Sequence, residues 1–383
     1  MKVFILAGEP SGDRLGGALM AGLKTLRPDV SFEGIGGPEM AAEGLQSRFD
    51  MAELSIMGLA EILPKYRALK ARIRQTADAV LQMQPDVMIT IDSPDFSLRV
   101  AKLVKAKSNI RTVHYVAPSV WAWRPGRAAH MAKYIDHVLA LLPFEPPLMQ
   151  AAGMECDFVG HPVVSDPVAT DAEVAAFRAE SGIGDAPFIL VLPGSRKAEV
   201  ARLGPVFGDA LGLLLARRPQ MRIVVPAAVS VADEVRAAVA DWPGDPLVLD
   251  PRDGGDGKAR KLAAFRAADL ALAASGTVSL ELAAAATPMV IGYRVNWLTF
   301  RIVKAIALID TVTLVNLVSD TRVVPEYLGP DCTAEGIAEG LQAVLENPQA
   351  QKAAMALTME RLGKGGEAPG LRAARAVLKR MVT

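Results

Sequence analysis

The sequence predicts an α/β protein of two doubly wound, Rossmann-like domains with a central cleft, followed by a helical C-terminal tail. Three observations carry that expectation. Short β-rich runs alternate with ten or more residues of helical apolar spacing from end to end. The alternation comes as two consecutive sets, and each has a glycine-rich turn after a strand, at Gly8 and at Gly194. Hydrophobic residues make up 51% of the chain but aromatic ones only 5%, so Ala, Leu and Val dominate, as suits parallel strands buried on both faces.

The first set places strands at Val3–Ala7, Ser31–Ile35, Asp86–Ile91, Arg111–Val116 and His137–Leu141, closed by a weaker one near Cys156–Val159. A polar, proline-containing stretch from His161 to Thr170 separates it from the second set. That set has strands at Phe188–Leu192, Arg222–Val225, Pro246–Leu249, Leu270–Ala274 and Met289–Ile291. The expected division is residues 1–165, residues 166–335 and a helical tail over 336–383. In doubly wound folds ligands bind beyond the carboxyl ends of the strands, so chemistry is expected in a cleft between the two domains.

Bulk properties remove several classes. Lys plus Arg equals Asp plus Glu at 42 each, so no global field attracts nucleic acid. Two cysteines, Cys156 and Cys332, exclude a disulfide framework and disfavour a paired-thiol metal site. The chain starts directly on a strand without a signal-peptide pattern, and no run of about 18 apolar residues occurs. A cytoplasmic protein is expected, with peripheral membrane contact left open.

Five stretches carry chemistry. Gly8, Glu9, Ser11, Gly12 and Asp13 follow the first strand, where glycines admit a ligand and a helix start favours anions; a plain turn capped by Ser11 or Asp13 fits equally well. Asp92 and Asp95 end the strand Val87–Ile91. Asp95 suits a helix cap, whereas Asp92 suits a general base on a sugar hydroxyl. Gly194, Ser195 and Arg196 form a turn entering a helix, suited to a diphosphate or to a solvated helix start. Ser275, Gly276 and Thr277 can donate amides and hydroxyls to phosphate, and Glu281, one turn on, can accept from ribose hydroxyls or simply face solvent. Trp121, Trp123 and Arg124 offer aromatic faces and a guanidinium to a sugar or phosphate, with core packing the alternative for one ring; His114 reads as structural.

Two further stretches mix apolar and basic residues; the first runs from Met57 to Arg74, with no acid between Lys65 and Arg74. Met57, Ile62, Leu63, Tyr66, Arg67 and Lys70 lie in the first, and Trp297 to Ile309 is the second. Each suits an anionic membrane surface or a core helix with a solvated basic face.

Taken in order, these residues resemble the lipid-A-disaccharide synthases. The match runs through Ala7–Asp13, Gly34–Met40, Met57-Gly58, Ile91–Phe96, His114–Arg124, Leu142–Glu145, Phe158–His161, Leu192–Arg196, Ser275–Glu281 and Met289–Arg294. The resemblance implies an inverting glycosyltransferase of GT-B fold. Such an enzyme joins UDP-2,3-diacylglucosamine to 2,3-diacylglucosamine 1-phosphate and releases a β-1,6-linked disaccharide 1-phosphate and UDP. It implies Asp92 as general base, and Gly194–Arg196, Ser275–Thr277, Ser279 and Glu281 on the donor. Gly8, Glu9, Ser11, Gly12, Asp13, Trp121 and Arg124 are then expected on the acceptor, and the two apolar–basic stretches at acyl chains and the inner membrane. No metal and no other cofactor is implied, and the tail offers a surface for a homodimer. The competing readings are a UDP-sugar 2-epimerase, which shares this fold and needs no apolar–basic surfaces, and a non-catalytic UDP-sugar or lipid-binding module.

Overall fold

The computed structural model describes residues 1–54 and 59–381, except for the side chains of 59–66 and of 298. The chain forms two compact units, one of Met1–Ser165 with Gly365–Thr383 and the other of Asp166–Lys364.

The first unit runs β1 (Lys2–Ala7), α1 (Pro10–Leu26), β2 (Ser31–Ile35), α2 (Pro38–Ala42), α3 (Leu59–Met83), β3 (Val87–Ile91) and α4 (Pro94–Lys105). It continues with β4 (Arg111–Tyr115), α5 (Gly126–Met131), β5 (His137–Ala140), α6 (Pro146–Ala151) and β6 (Glu155–Phe158). Its six strands are parallel in the order β2-β1-β3-β4-β5-β6. β3 reads Val-Met-Ile-Thr-Ile and is buried at every position, as a central strand covered on both faces must be. Strand order reverses between β1 and β3, whose ends lie side by side through Ala7 and Ile91. That point opens a crevice between the loops following the two strands.

The second unit runs α7 (Asp171–Glu180), β7 (Phe188–Leu192), α8 (Lys197–Arg217), β8 (Arg222–Pro226), α9 (Ala232–Val239), β9 (Leu247–Leu249), α10 (Gly257–Ala267) and β10 (Leu270–Ala274). It continues with α11 (Val278–Ala284), β11 (Met289–Tyr293), α12 (Trp297–Ile306), α13 (Leu314–Ser319), β12 (Glu326–Leu328), α14 (Ala334–Glu346) and α15 (Gln349–Arg361). Its parallel strands are ordered β12-β11-β10-β7-β8-β9, with the reversal between β10 and β7. The unit opens on α7, where Thr170 Oγ1 accepts from the Glu173 N–H at 3.3 Å and Glu173 accepts the Thr170 N–H at 2.6 Å. Strand β12 has no counterpart among the strands expected from sequence. Its three half-buried residues at a sheet edge carry too short a pattern to stand out.

The residues expected as a helical tail, 336–383, are helical, and their helices are shared between the two units. α14 packs on α8 and β11 in the second unit. α15 is tied to the second sheet by Gln351, whose amide exchanges two hydrogen bonds of 2.9 Å with the Met289 backbone. Such buried neutral bonds contribute about 0.5–1.5 kcal/mol each. The last helix, α16 (Pro369–Lys379), returns to the first unit and lies on α1. The two backbones approach so closely that a Cβ on Gly22 would come within 2.7 Å of the Gly370 carbonyl oxygen. Arg380 Nε donates to Asp157 at 3.1 Å and Arg372 Nη2 to the Phe158 carbonyl at 3.1 Å, which fixes the chain's end beside β6. Among the described residues, no helix is long and apolar enough to cross a membrane.

Candidate active site

In the first unit the loops after β1 and β3 are in contact. Gly8 leaves no room for a side chain, since a Cβ there would lie 2.6 Å from Ser93 Oγ. Asp92 and Ser93 both adopt left-handed backbone angles, φ +47° and +44°, and Val116, just beyond β4, has φ +83°. A β-branched residue in that region is strained, and strain of this kind gathers at functional loops. The turn is pinned by the Asp92 N–H, which donates to the Tyr115 carbonyl at 3.0 Å. Asp92 itself is half-buried. Burial raises its carboxyl pKa, and the Ser93 N–H, which lowers it, does not offset the effect. Asp95 is solvent-exposed and 3.9 Å from Arg99, without a capping hydrogen bond. His114 is buried against Thr90 Oγ1 at 2.7 Å, and burial drops its pKa to about 4, so it is a neutral core residue.

Several residues expected on the acceptor have other work. Asp13 is buried, and its carboxylate accepts from the N–H groups of Gly37 (2.7 Å), Glu39 (2.9 Å) and Met40 (3.1 Å). It therefore closes the N-terminus of α2, because that helix start has no cap of its own. Trp121 donates its indole N–H to Glu145 at 3.2 Å and meets Phe144 edge-on at 5.4 Å, which is a packing role. Glu145 is buried, and its pKa is pushed up to about 7 by that burial. Arg124 is exposed, lies over the Trp123 ring at 4.3 Å and has φ +50°. Ser11 is exposed at the start of α1, Gly12 is buried beneath it, and Glu9 is the extended residue preceding the helix.

In the second unit, the turns after β7 and β10 meet at the reversal point through Leu192 and Ala273. They line a cavity of about 680 Å³ that includes Gly194, Ser195, Arg196, Ser275, Gly276, Thr277 and Glu281. Gly194 requires its glycine, having φ +121°. The backbone N–H groups expected to cradle a diphosphate here are already engaged. Glu199 Oε2 accepts from Ser195 N at 3.1 Å and from Arg196 N at 3.3 Å. An internal carboxylate thus stands where an anion would stand, and the Arg196 side chain remains largely exposed beside it. Ser279 is buried and donates its hydroxyl to the Gly276 carbonyl at 3.0 Å, so it shapes the turn from within. Gly276 faces open space.

Sequence reasoning missed Lys261. From α10 its ammonium reaches Glu281 Oε2 at 2.6 Å and lies 5.0 Å from the Phe265 ring centre, and all three residues line the cavity. No motif marks this lysine; only the neighbouring helix places it opposite Glu281.

Of the first apolar–basic stretch, Met57 and the side chains of Ile62, Leu63 and Tyr66 lie outside the described residues. Arg67 and Lys70 are exposed on α3. Arg72 is bound to Glu53 at 2.8 Å and lies over Phe49, so it is not a free surface cation.

Two parallel doubly wound units, with a cavity at the strand reversal of the second, define a GT-B architecture. A solved structure with the same fold is the UDP-GlcNAc 2-epimerase from Neisseria meningitidis bound to UDP-GlcNAc; it aligns over 100% of both chains with a TM-score of 0.61 at 12% identity. That likeness concerns the fold alone. The family model described as lipid-A-disaccharide synthetase matches residues 3–379. Lipid-A-disaccharide synthase of Ruegeria pomeroyi is 70% identical over 383 residues, covering 100% of this chain and 96% of the relative. The corresponding protein of Rhodospirillum centenum is 47% identical, covering 99% of this chain and 94% of its own length. The chain belongs to the lipid-A-disaccharide synthase family and is a glycosyltransferase of lipid A biosynthesis.

Proposed function

We propose that the chain joins UDP-2,3-diacylglucosamine to 2,3-diacylglucosamine 1-phosphate in one inverting displacement, with Asp92 as the general base. The acceptor's 6-hydroxyl oxygen attacks the donor's anomeric carbon from the face opposite UDP. Its proton passes to the Asp92 carboxylate, the bond from the anomeric carbon to the phosphate oxygen breaks, and UDP leaves with the electron pair. The observation that carries this reading is a half-buried carboxyl at the end of β3, held in a left-handed turn and raised in pKa by burial. A base with a raised pKa takes up a proton more readily than an ordinary carboxylate.

Ser275, Gly276 and Thr277 offer donors to the UDP diphosphate, and Arg196 adds an exposed guanidinium. Ser195 and Gly194 shape the turn beside it. Glu281 accepts from the ribose, with its carboxylate oriented by Lys261. Gly8, Glu9, Ser11, Gly12 and Arg124 are the acceptor-side contacts, while Asp13 and Trp121 support them from behind. The enzyme acts at the inner membrane surface, where Arg67 and Lys70 of α3 attract anionic lipid. A homodimer is part of this reading and is checked by light scattering. Residues 1–165 and 166–335 serve acceptor and donor respectively.

The test is radiolabelled diacylglucosamine 1-phosphate with and without UDP-diacylglucosamine, in buffer containing EDTA. Labelled disaccharide and UDP are expected only when both substrates are present. Incorporation of solvent hydrogen into the donor sugar without coupling would instead support an epimerase.

A further inference from the structure

The described large apolar side chains that remain exposed are not scattered. Eleven are exposed, and six of them, Trp297, Ile302, Val303, Ile306, Leu308 and Val312, fall within sixteen residues of α12 and the segment after it. Trp297 is 65% exposed and Leu308 59%, values ordinary for lysine and not for such residues. α12 stands off its unit. Of its described side chains, only Phe300 is partly buried, seated against Gly329. The helix nevertheless has a proper start, Asn296 accepting the Thr299 N–H at 2.7 Å.

We propose that α12 and the residues following it form the surface by which the second unit lies on an anionic lipid bilayer. The charge pattern selects that occupant. From Arg294 to Ile309 there are three cations, Arg294, Arg301 and Lys304, and no acid. The Arg301 guanidinium lies over the Trp297 ring, 5.5 Å from its centre, and the Lys304 ammonium lies 5.9 Å from that of Phe300, so the cationic heads sit beside the aromatic rings of the same helix. Long basic side chains arranged in this way keep their heads at phosphate level while the apolar side chains enter the acyl boundary, and tryptophan favours that depth. A cluster of exposed apolar side chains whose helix carries cations and no acid matches an anionic membrane better than a neutral one, and Asp310, the acid just beyond it, is paired with Arg322 at 2.6 Å. The inference rests on the proposed action at a membrane surface and names the part of this chain that makes the contact.

The test is sedimentation of the full chain with phosphatidylglycerol vesicles and with phosphatidylcholine vesicles. The wild type is compared with Ile302→Ser/Val303→Ser/Ile306→Ser and with Arg301→Glu/Lys304→Glu. Both variants are expected to bind phosphatidylglycerol vesicles at least tenfold more weakly while keeping their affinity for UDP, which shows that the second unit remains folded. The wild type should prefer phosphatidylglycerol, and added salt should weaken that preference. Unchanged vesicle binding by the serine variant overturns the inference while leaving a membrane-active enzyme intact. A wild type that ignores both vesicles overturns the inference together with the membrane reading. Vesicle binding that persists while the serine variant alters the oligomeric state assigns the face to a second copy of the chain, which also overturns it.

Discussion

The two reversal points use the same topology for opposite electrostatic ends. In the second unit the two acids at the cavity are already paired: Glu199 takes the N–H groups of Ser195 and Arg196, and Glu281 takes Lys261. In the first unit, burial leaves two acids with raised pKa values, Asp92 at the loop and Glu145 behind Trp121. The backbone differs too. Left-handed non-glycine residues sit at Asp92, Ser93 and Val116, whereas the turn after β7 places its positive φ on Gly194. A paired, unstrained cavity suits tight recognition of a ligand that is already charged. A strained loop holding a poorly solvated acid suits a proton transfer, because the acid's basicity and direction are set before substrate arrives.

If that contrast is sound, the largest effect comes from Asp92→Asn, which should lower turnover by about 100-fold or more with UDP affinity unchanged. Near-wild-type turnover would remove the base from the first unit. In the wild type the acid limb of kcat/KM should have its midpoint above 3.8, the ordinary carboxyl value, because only ionised Asp92 accepts the proton.

Gly8→Ala comes next. Its added methyl meets Ser93 Oγ at 2.6 Å, and overpacking of this kind costs about 1–3 kcal/mol, read as a lower urea midpoint with activity reduced alongside. A smaller effect is expected on the donor side. Lys261→Met should weaken UDP binding about fivefold, as for a half-exposed ion pair, with Lys261→Arg restoring most of it. If Lys261 acts through Glu281 on the ribose, the loss is equal for UDP and UMP; a larger loss for UDP would place the ammonium on the diphosphate.

The smallest effect tests the buried acid that does no chemistry. Glu145 has a folded-state pKa of about 7 against an ordinary 4.5, so its contribution to stability is fully present below about 4.5 and lost as pH rises through about 7. Glu145→Gln should flatten the change in Tm between pH 5 and pH 8. An unchanged slope would show that Glu145 is solvated.

The strands were legible because each central one, such as Phe188–Leu192 or Leu270–Ala274, is a continuous apolar run bounded by turn residues. Asp92 was legible as a candidate for a related reason, since a carboxylate at the end of such a run can face the crevice beyond the strand ends. The roles of Asp13 and Ser279 were not. Both stand at helix starts that look open in sequence, and both are engaged by partners distant in sequence or hidden in the turn before the helix: Asp13 by the start of α2, Ser279 by the Gly276 carbonyl. Lys261 was invisible for the same reason, as it meets Glu281 only after α10 and α11 have both packed near β10.

By itself the sequence determined the two parallel sheets, the place of their glycine turns and the family, because apolar periodicity and short ordered motifs are local properties of the chain. The tertiary structure alone decided which polar groups are spent on the protein and which are left for a ligand. It also decided that α16 returns to the first unit and that α12 keeps its apolar side chains in the open. The physical reason is that a hydrogen bond or a buried face is settled by what lies opposite, and what lies opposite is set by packing between residues far apart along the chain.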